Sequence, residues 1–332
     1  MSYIRNIQIL IFEKPRSAKR CSPHYTQTAY LEFYEHPPLA FFLQSFAFKI
    51  FGEGRSVEII YSILLGLAVI LLITLVWRQM RQKDEDLSGG WWPALLFALF
   101  PMTSWIFTSN MLENTMTVFI LLACLWAIMS MSQKKVALLF VYGFLSGASI
   151  FCAFLSKGPA GTFPLVAPFF LFIAFKKVTF KKAVLTFLSI CVSAALLTSL
   201  IILANPEALH FFKNYLHIQV LGSVSGKREL SPSNLTLLRK IVLESLIPLA
   251  LCFTLHFSRR ARFHLKKNRT ALFYFLMGLS GSLPLLFIPK QMSWYLFPAL
   301  PFYAMLYASL FRESAKSLEL SLEQKPRTLK KL

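Results

Sequence analysis

The stretch VEIIYSILLGLAVILLITLVW, residues 57–77, followed at once by Arg78, decides the fold. Glu58 is its only charge, and it sits near one end. At ~1.5 Å rise per residue, about twenty mostly apolar residues cross the ~30 Å hydrocarbon core of a bilayer. The residues that follow, with Arg78, Arg81 and Lys83, are basic. A spanning helix flanked by cations on one side is therefore predicted here.

Working outward from it, eight further stretches have the same character: Trp91–Thr108, Thr115–Ser132, Val136–Leu155, Pro159–Phe175, Ala183–Leu203, Ile241–Phe257, Thr270–Pro289 and Trp294–Phe311. The fourth and fifth of the nine are parted only by Ser156-Lys157-Gly158 and read as a tight hairpin. Leu39–Phe51 is too short to cross and reads as an amphipathic helix lying in the membrane interface. The expected fold class is all-α, a polytopic transmembrane bundle of about nine spans over residues 36–311, between an atypical segment 1–35 and a polar tail 312–332.

Composition supports this. Of 332 residues, 56% are hydrophobic and 33 are Phe, more apolar surface than a soluble domain of this size can cover. The net charge of +20 does not point to nucleic acid, because the cations stand in short clusters between apolar runs, with no soluble basic domain to carry them. Cys124, Cys152, Cys191 and Cys252 lie inside apolar runs, Cys21 lies apart, and no CxxC occurs. They read as buried hydrophobes and not as disulfides or a zinc site.

Alternate loops differ in charge. One set carries Arg78/Arg81/Lys83, Lys134/Lys135, Lys176/Lys177/Lys181/Lys182, the cluster Arg259–Arg269 and the tail from Arg312. It holds more than twice the cations of the other set, so the positive-inside rule puts it in the cytoplasm. The outer face then carries Glu35-His36-Pro37-Pro38, the Asn110–Asn114 turn, Lys157-Gly158-Pro159, the loop 205–240 and Lys290–Tyr295. Ionisable groups at a membrane boundary are expensive, so their collection on one face marks a functional surface. The placement of His36 outside requires an odd number of spans before it. Ile7–Phe12 is too short to be one, so a first helix is expected upstream of Met1.

Four segments then bring a family to view. Tyr34-Glu35-His36-Pro37-Pro38-Leu39 with Phe48-Lys49-Ile50-Phe51-Gly52 resembles the "HPPL … FG" segment of bacterial dolichyl-phosphate-mannose-protein mannosyltransferase-like enzymes. These are GT-C fold glycosyltransferases, grouped with the 4-amino-4-deoxy-L-arabinose transferase that modifies lipid A. Met111-Leu112-Glu113-Asn114-Thr115 matches the place where the family opens a helix with an acidic residue. Phe154-Leu155-Ser156-Lys157-Gly158-Pro159 is similar to its "hLTKGP", and Lys290 to Pro301 to its "K…YYLLPALP". The likeness runs from about Tyr34 to Phe311.

The resemblance implies transfer of a sugar from a polyprenyl-phosphate carrier to an acceptor hydroxyl, on a protein, lipid A or another envelope glycan, at the outer face of a bacterial inner membrane. Such chemistry needs a carboxylate to take the hydroxyl proton and fixed cations for the departing phosphate. Glu113 is the expected catalytic acid group, standing where the family has aspartate. His36 takes the place of a lysine that contacts the carrier phosphate in the arabinose-transferase branch. Glu35, Lys157 and Lys290 are the other expected carrier or sugar contacts, with Lys227 and Arg228 as weaker ones for an anionic carrier or acceptor.

No cofactor motif is evident, and a divalent metal is left open. His210 and His217 read as one face of an interfacial helix. Partners are the lipid-linked donor, the envelope acceptor and membrane lipids, with no nucleic acid. The family's first-loop aspartate has no counterpart before Asp84, so the chain is expected to resemble the middle of such an enzyme. Two other readings stay open: a non-catalytic remnant, and a transporter or flippase for an anionic lipid.

Overall fold

The computed structural model describes residues 36–52, 54–81, 89–175, 178–222, 236–259, 268–288 and 291–323. Helices are the only regular elements among them. They are α1 (Leu39–Phe51), α2 (Arg55–Arg81), α3 (Trp91–Ala98), α4 (Pro101–Thr108), α5 (Leu112–Ser132), α6 (Val136–Lys157), α7 (Ala167–Ala174), α8 (Phe180–Ala204), α9 (Glu207–Tyr215), α10 (Thr236–Arg259), α11 (Arg269–Ser282), α12 (Leu300–Leu310) and α13 (Arg312–Glu323). Within a bilayer only such self-satisfied backbone is stable.

Six helices are long and apolar enough to cross a membrane, and up to eight spans result if two bent pairs each count as one. The described parts of the nine expected stretches are all apolar helix, but proline divides four of them, Thr270–Pro289 passing into a 3-10 helix (Leu283–Phe287) at Pro284. α3 and α4 meet at 75°. Pro101 cannot donate to the preceding turn and drives Phe100 to an extended backbone (φ −68°, ψ 126°). The stretch Pro159–Phe175 opens as a 3-10 helix (Pro159–Val166) with Pro164 inside it, and becomes α-helical only in the short α7. The last stretch likewise starts as a 3-10 helix (Ser293–Ala299) containing Pro298, then α12, and bends 72° into α13.

α5 is the most enclosed of the long helices. It packs on α2 and α6, and α6 packs in turn on α8. The Gly143-x-x-x-Gly147 spacing serves this last contact: a Cβ at Gly147 would collide with the backbone of Ile190. The close approach lets Ser189 and Ser193 donate across the interface to the carbonyls of Phe140 (2.9 Å) and Phe144 (2.8 Å). In an apolar medium such packing and hydrogen bonding take over from the hydrophobic effect. Aromatic residues fill the centre, with Phe297 against both Phe97 and Phe107, and Phe163 edge-on to Phe302.

The bundle has two chemically distinct ends. At one, Lys182 donates to the Gln133 carbonyl (2.6 Å), Trp77 stacks on Tyr274, and Trp91 donates to Glu319 of α13 (2.5 Å). Arg78, Arg81, Lys134, Lys135 and Arg269 border the same end. The opposite end holds Tyr61 bonded to Thr115 (3.0 Å) and Trp105 beside Trp294 (centroids 6.0 Å). α1 lies at this second end against α2, α5 and α6, burying Gln44 and Ser45 while Phe42, Phe46 and Ile50 stay exposed, as suits an interfacial helix.

Candidate functional site

Lys157 is the last residue of α6, and Gly158 ends the helix with φ 100° and ψ −153°, a backbone that favours glycine. Any side chain there would run into the Tyr215 hydroxyl. That hydroxyl donates instead to the Lys157 carbonyl (3.3 Å), one of the acceptors a helix end leaves open. Tyr215 closes α9 and is stacked on Phe211 (5.9 Å, 13°) and edge-on to Phe154 (6.3 Å). An amphipathic helix from a distant loop thus braces the turn from behind.

In front of the turn, the Lys157 ammonium makes a direct hydrogen-bonded ion pair with Oε1 of Glu113, in the first turn of α5. The Glu113 side chain is fully buried and that of Lys157 is 11% exposed. Each charge makes the other tolerable, since an unpaired buried charge is destabilising by several kcal/mol. Tyr295 adds its ring face, 5.4 Å from the ammonium. Lys157 therefore does not snorkel to water.

The second carboxylate oxygen, Oε2, is buried and has no hydrogen-bond partner among the described residues. At the next residue, the Asn114 amide donates to the Ile106 carbonyl (3.2 Å) while its own oxygen is also buried, with no partner among the described residues. The Glu113 carboxylate thus keeps one oxygen open beside an ammonium with three donors in all. Chemically this arrangement can accept a proton from a hydroxyl and stabilise an anion.

Of the other expected residues, His36 precedes α1, its ring 6.5 Å from that of Phe41, on a helix that packs against those bearing Glu113 and Lys157. Glu35, Lys227, Arg228 and Lys290 lie outside the described residues. The segment after Lys290 is anchored by Gln291, whose amide donates to the Leu286 carbonyl (2.9 Å) and whose oxygen accepts from the Leu237 N–H (3.4 Å). This anchoring fixes the approach of Trp294 and Tyr295.

Sequence reading gave no role to Asn114, Tyr215 or Glu244. Glu244 is 1% exposed, pairs with Lys240 (2.9 Å) and accepts from the Met102 N–H (2.8 Å), an orphan donor at the start of α4. A lysine four residues before a glutamate inside an apolar run was the signal for it. Asn114 and Tyr215 carried no comparable signal.

A membrane-embedded helical protein with a buried, half-satisfied carboxylate–ammonium pair at one end of its bundle is the class defined by this geometry. The chain belongs to the dolichyl-phosphate-mannose-protein mannosyltransferase family, whose pattern matches residues 35–203, a span that includes His36, Glu113 and Lys157. No curated protein matches the chain. Two solved structures share its fold. ArnT from Cupriavidus metallidurans bound to undecaprenyl phosphate superposes with a TM-score of 0.63 at 18% identity, covering 87% of this chain and 53% of that one. The apo state of ArnT gives 0.58 at 20% identity, covering 83% and 49%. The chain spans about half the length of ArnT in both structures, and at such identities the likeness is one of fold, here the GT-C fold.

Proposed function

We propose that this protein takes part in moving a sugar from a polyprenyl-phosphate carrier to an acceptor hydroxyl, at the membrane face that bears Glu113 and Lys157, and that this face is the external one. The observation that carries the reading is the Glu113–Lys157 pair with its unsatisfied carboxylate oxygen, set beside an apolar groove. The groove, about 630 Å³, begins at Pro159, two residues past Lys157, and runs between the 3-10 helix Pro159–Val166 and the end of α11. Its walls include Phe163, Leu276, Leu279 and Pro284, which suit an isoprenoid chain. A carrier seated there is proposed to bring its phosphate toward Lys157, two residues before the Pro159 that lines the groove.

In the proposed step the acceptor oxygen bonds to the anomeric carbon as the bond from that carbon to the phosphate oxygen breaks. The hydroxyl proton passes to the Glu113 carboxylate, and the electron pair leaves with the polyprenyl phosphate. Lys157 stabilises the negative charge that gathers on the leaving phosphate. His36, Glu35 and Lys290 are proposed to hold the carrier phosphate and sugar, and Lys227 and Arg228 an anionic carrier or acceptor. The acceptor is of the hydroxyl-bearing envelope class: protein, lipid A or other glycan.

Native mass spectrometry of the protein in nanodiscs tests this. Undecaprenyl phosphate is expected to be retained about tenfold better than undecaprenol, with the preference lost in Lys157→Gln. Equal retention of phosphate and alcohol defeats the reading.

One observation favours a second reading, movement of an anionic lipid across the membrane: the 75° break between α3 and α4 is of the kind that transporters use. Against it, the N–H freed by the break is already taken by Glu244, so the bend is a satisfied structural feature. Lipid scrambling by the protein in vesicles, without sugar transfer, is the result that decides for transport.

A further inference from the structure

A second groove, distinct from the one at Pro159, runs along α2. It encloses about 600 Å³ under the turn that follows α4, with Phe107 as its overhang. Ile59, Ile63, Leu67 and Ile70 form its apolar wall, and Ile63 and Leu67 are 55% and 59% exposed on the outer surface of the bundle. The floor is Gly66, where a Cβ would only touch the Phe107 ring at 3.5 Å, leaving room beyond. From Glu58 to Ile70 the helix rises about 18 Å, close to the depth of one leaflet of a ~30 Å hydrocarbon core. The groove is thus as long as the chain region of a single leaflet.

Its mouth is polar and made of two chemically different groups. Glu58 supplies a carboxylate, for which the described residues show no ion pair. Asn110, held at φ 48°, has its oxygen engaged by the Ser62 hydroxyl (3.4 Å), which turns its amide nitrogen to the other side. That nitrogen is buried and has no hydrogen-bond partner among the described residues. A donor in want of an acceptor therefore stands beside a carboxylate in want of a cation, at the head of an acyl-length trough. Asparagine adopts this left-handed backbone readily, and its unpartnered donor is a group that an acceptor on a ligand can satisfy.

We infer that this groove binds a zwitterionic aminophospholipid of the same leaflet as the Glu113–Lys157 site, its acyl chain along α2, its ammonium on Glu58 and its phosphate or ester oxygen on the Asn110 amide. An anionic lipid offers nothing to Glu58 and is repelled by it. The inference does not rest on the glycosyltransferase reading, and the occupant is a resident lipid, not the donor.

The test is lipid retention by the purified full chain. Nanodiscs are made with phosphatidylethanolamine and phosphatidylglycerol at equal share, the protein is released, and adducts are counted by native mass spectrometry. Wild type is expected to keep the ethanolamine lipid in preference. Glu58→Gln is expected to lower that preference about tenfold, the worth of one charge-assisted hydrogen bond. Gly66→Leu fills the floor and is expected to lower retention of both lipids, with Ile63→Trp as a second filling variant should Gly66→Leu fail to fold. Equal retention of the two lipids by wild type overturns the inference, as does unchanged retention in a folded groove-filling variant.

Discussion

Glu113 and Lys157 show how two residues of opposite charge become one chemical unit. Separately, each is a costly group at a membrane boundary; together they are buried, and the charge of each keeps the other in place. Lys157→Ala strands the Glu113 carboxylate and is expected to destabilise the protein by about 3–5 kcal/mol, read as a lowered melting temperature in detergent. Glu113→Gln with Lys157→Ala removes both charges and is expected to lose clearly less than the two single variants summed. Additive losses in this cycle show that the two do not act as a pair. In a sugar-transfer assay with a polyprenyl-phosphate donor, Glu113→Gln and His36→Ala are each expected to lower the rate tenfold or more. Unchanged rates in both remove these residues from the site. Sequence reading had each residue of the pair, but not their bond to one another, because they are 44 positions apart and only the packing of α5 on α6 joins them.

At the scale of elements, the decisive features are breaks in helices, and each break has a residue that makes it and another that satisfies it. Gly158 makes the turn after α6 and Tyr215 of α9 satisfies its open carbonyl. Gly158→Ala forces a side chain into a glycine backbone and against the Tyr215 ring, with an expected loss of about 1–3 kcal/mol. Adding Tyr215→Ala removes the collision but not the backbone strain, so the double variant is expected to fall short of the summed losses. Pro101 makes the break before α4, and Glu244 of α10 satisfies it. Glu244→Ala is expected to cost about 1–3 kcal/mol and to loosen α4, measured as faster hydrogen exchange at Met102 than at the α5 amides. The prolines stand in the sequence, but Trp91–Thr108, Pro159–Phe175 and Trp294–Phe311 each read there as one stretch running through them. The angle of each break and the distant residue that repairs it were not legible there, since propensity acts locally and these repairs join helices far apart in the chain.

Over the whole molecule, alternating helices gather Arg78, Arg81, Lys134, Lys135, Lys182 and Arg269 at one end and the Glu113–Lys157 pair at the other. If the cationic end is cytoplasmic, as the positive-inside rule directs, single cysteines at the exposed positions Lys135 and His217, in a background without native cysteines, are expected to label from opposite sides of intact cells. Equal labelling by an impermeant reagent overturns that orientation. The two grooves lie at the second end, one starting past Lys157 and the other ending at Asn110, three residues before Glu113. Both are surfaces between helices, which no single stretch of sequence contains.

Helix content, membrane residence and the sidedness of charge were determined by the sequence itself, because apolar length and the placement of lysine and arginine act through the solvent and need no partner helix. The family was legible too, from four short segments in order. Tertiary structure alone decided that Glu113 meets Lys157, that Tyr215 and Glu244 complete broken helices, and that two lipid-sized grooves open beside them. Those outcomes depend on which helix lies against which, and in a bilayer that is settled by close packing and buried polar contacts, to which hydrophobic pattern is nearly blind.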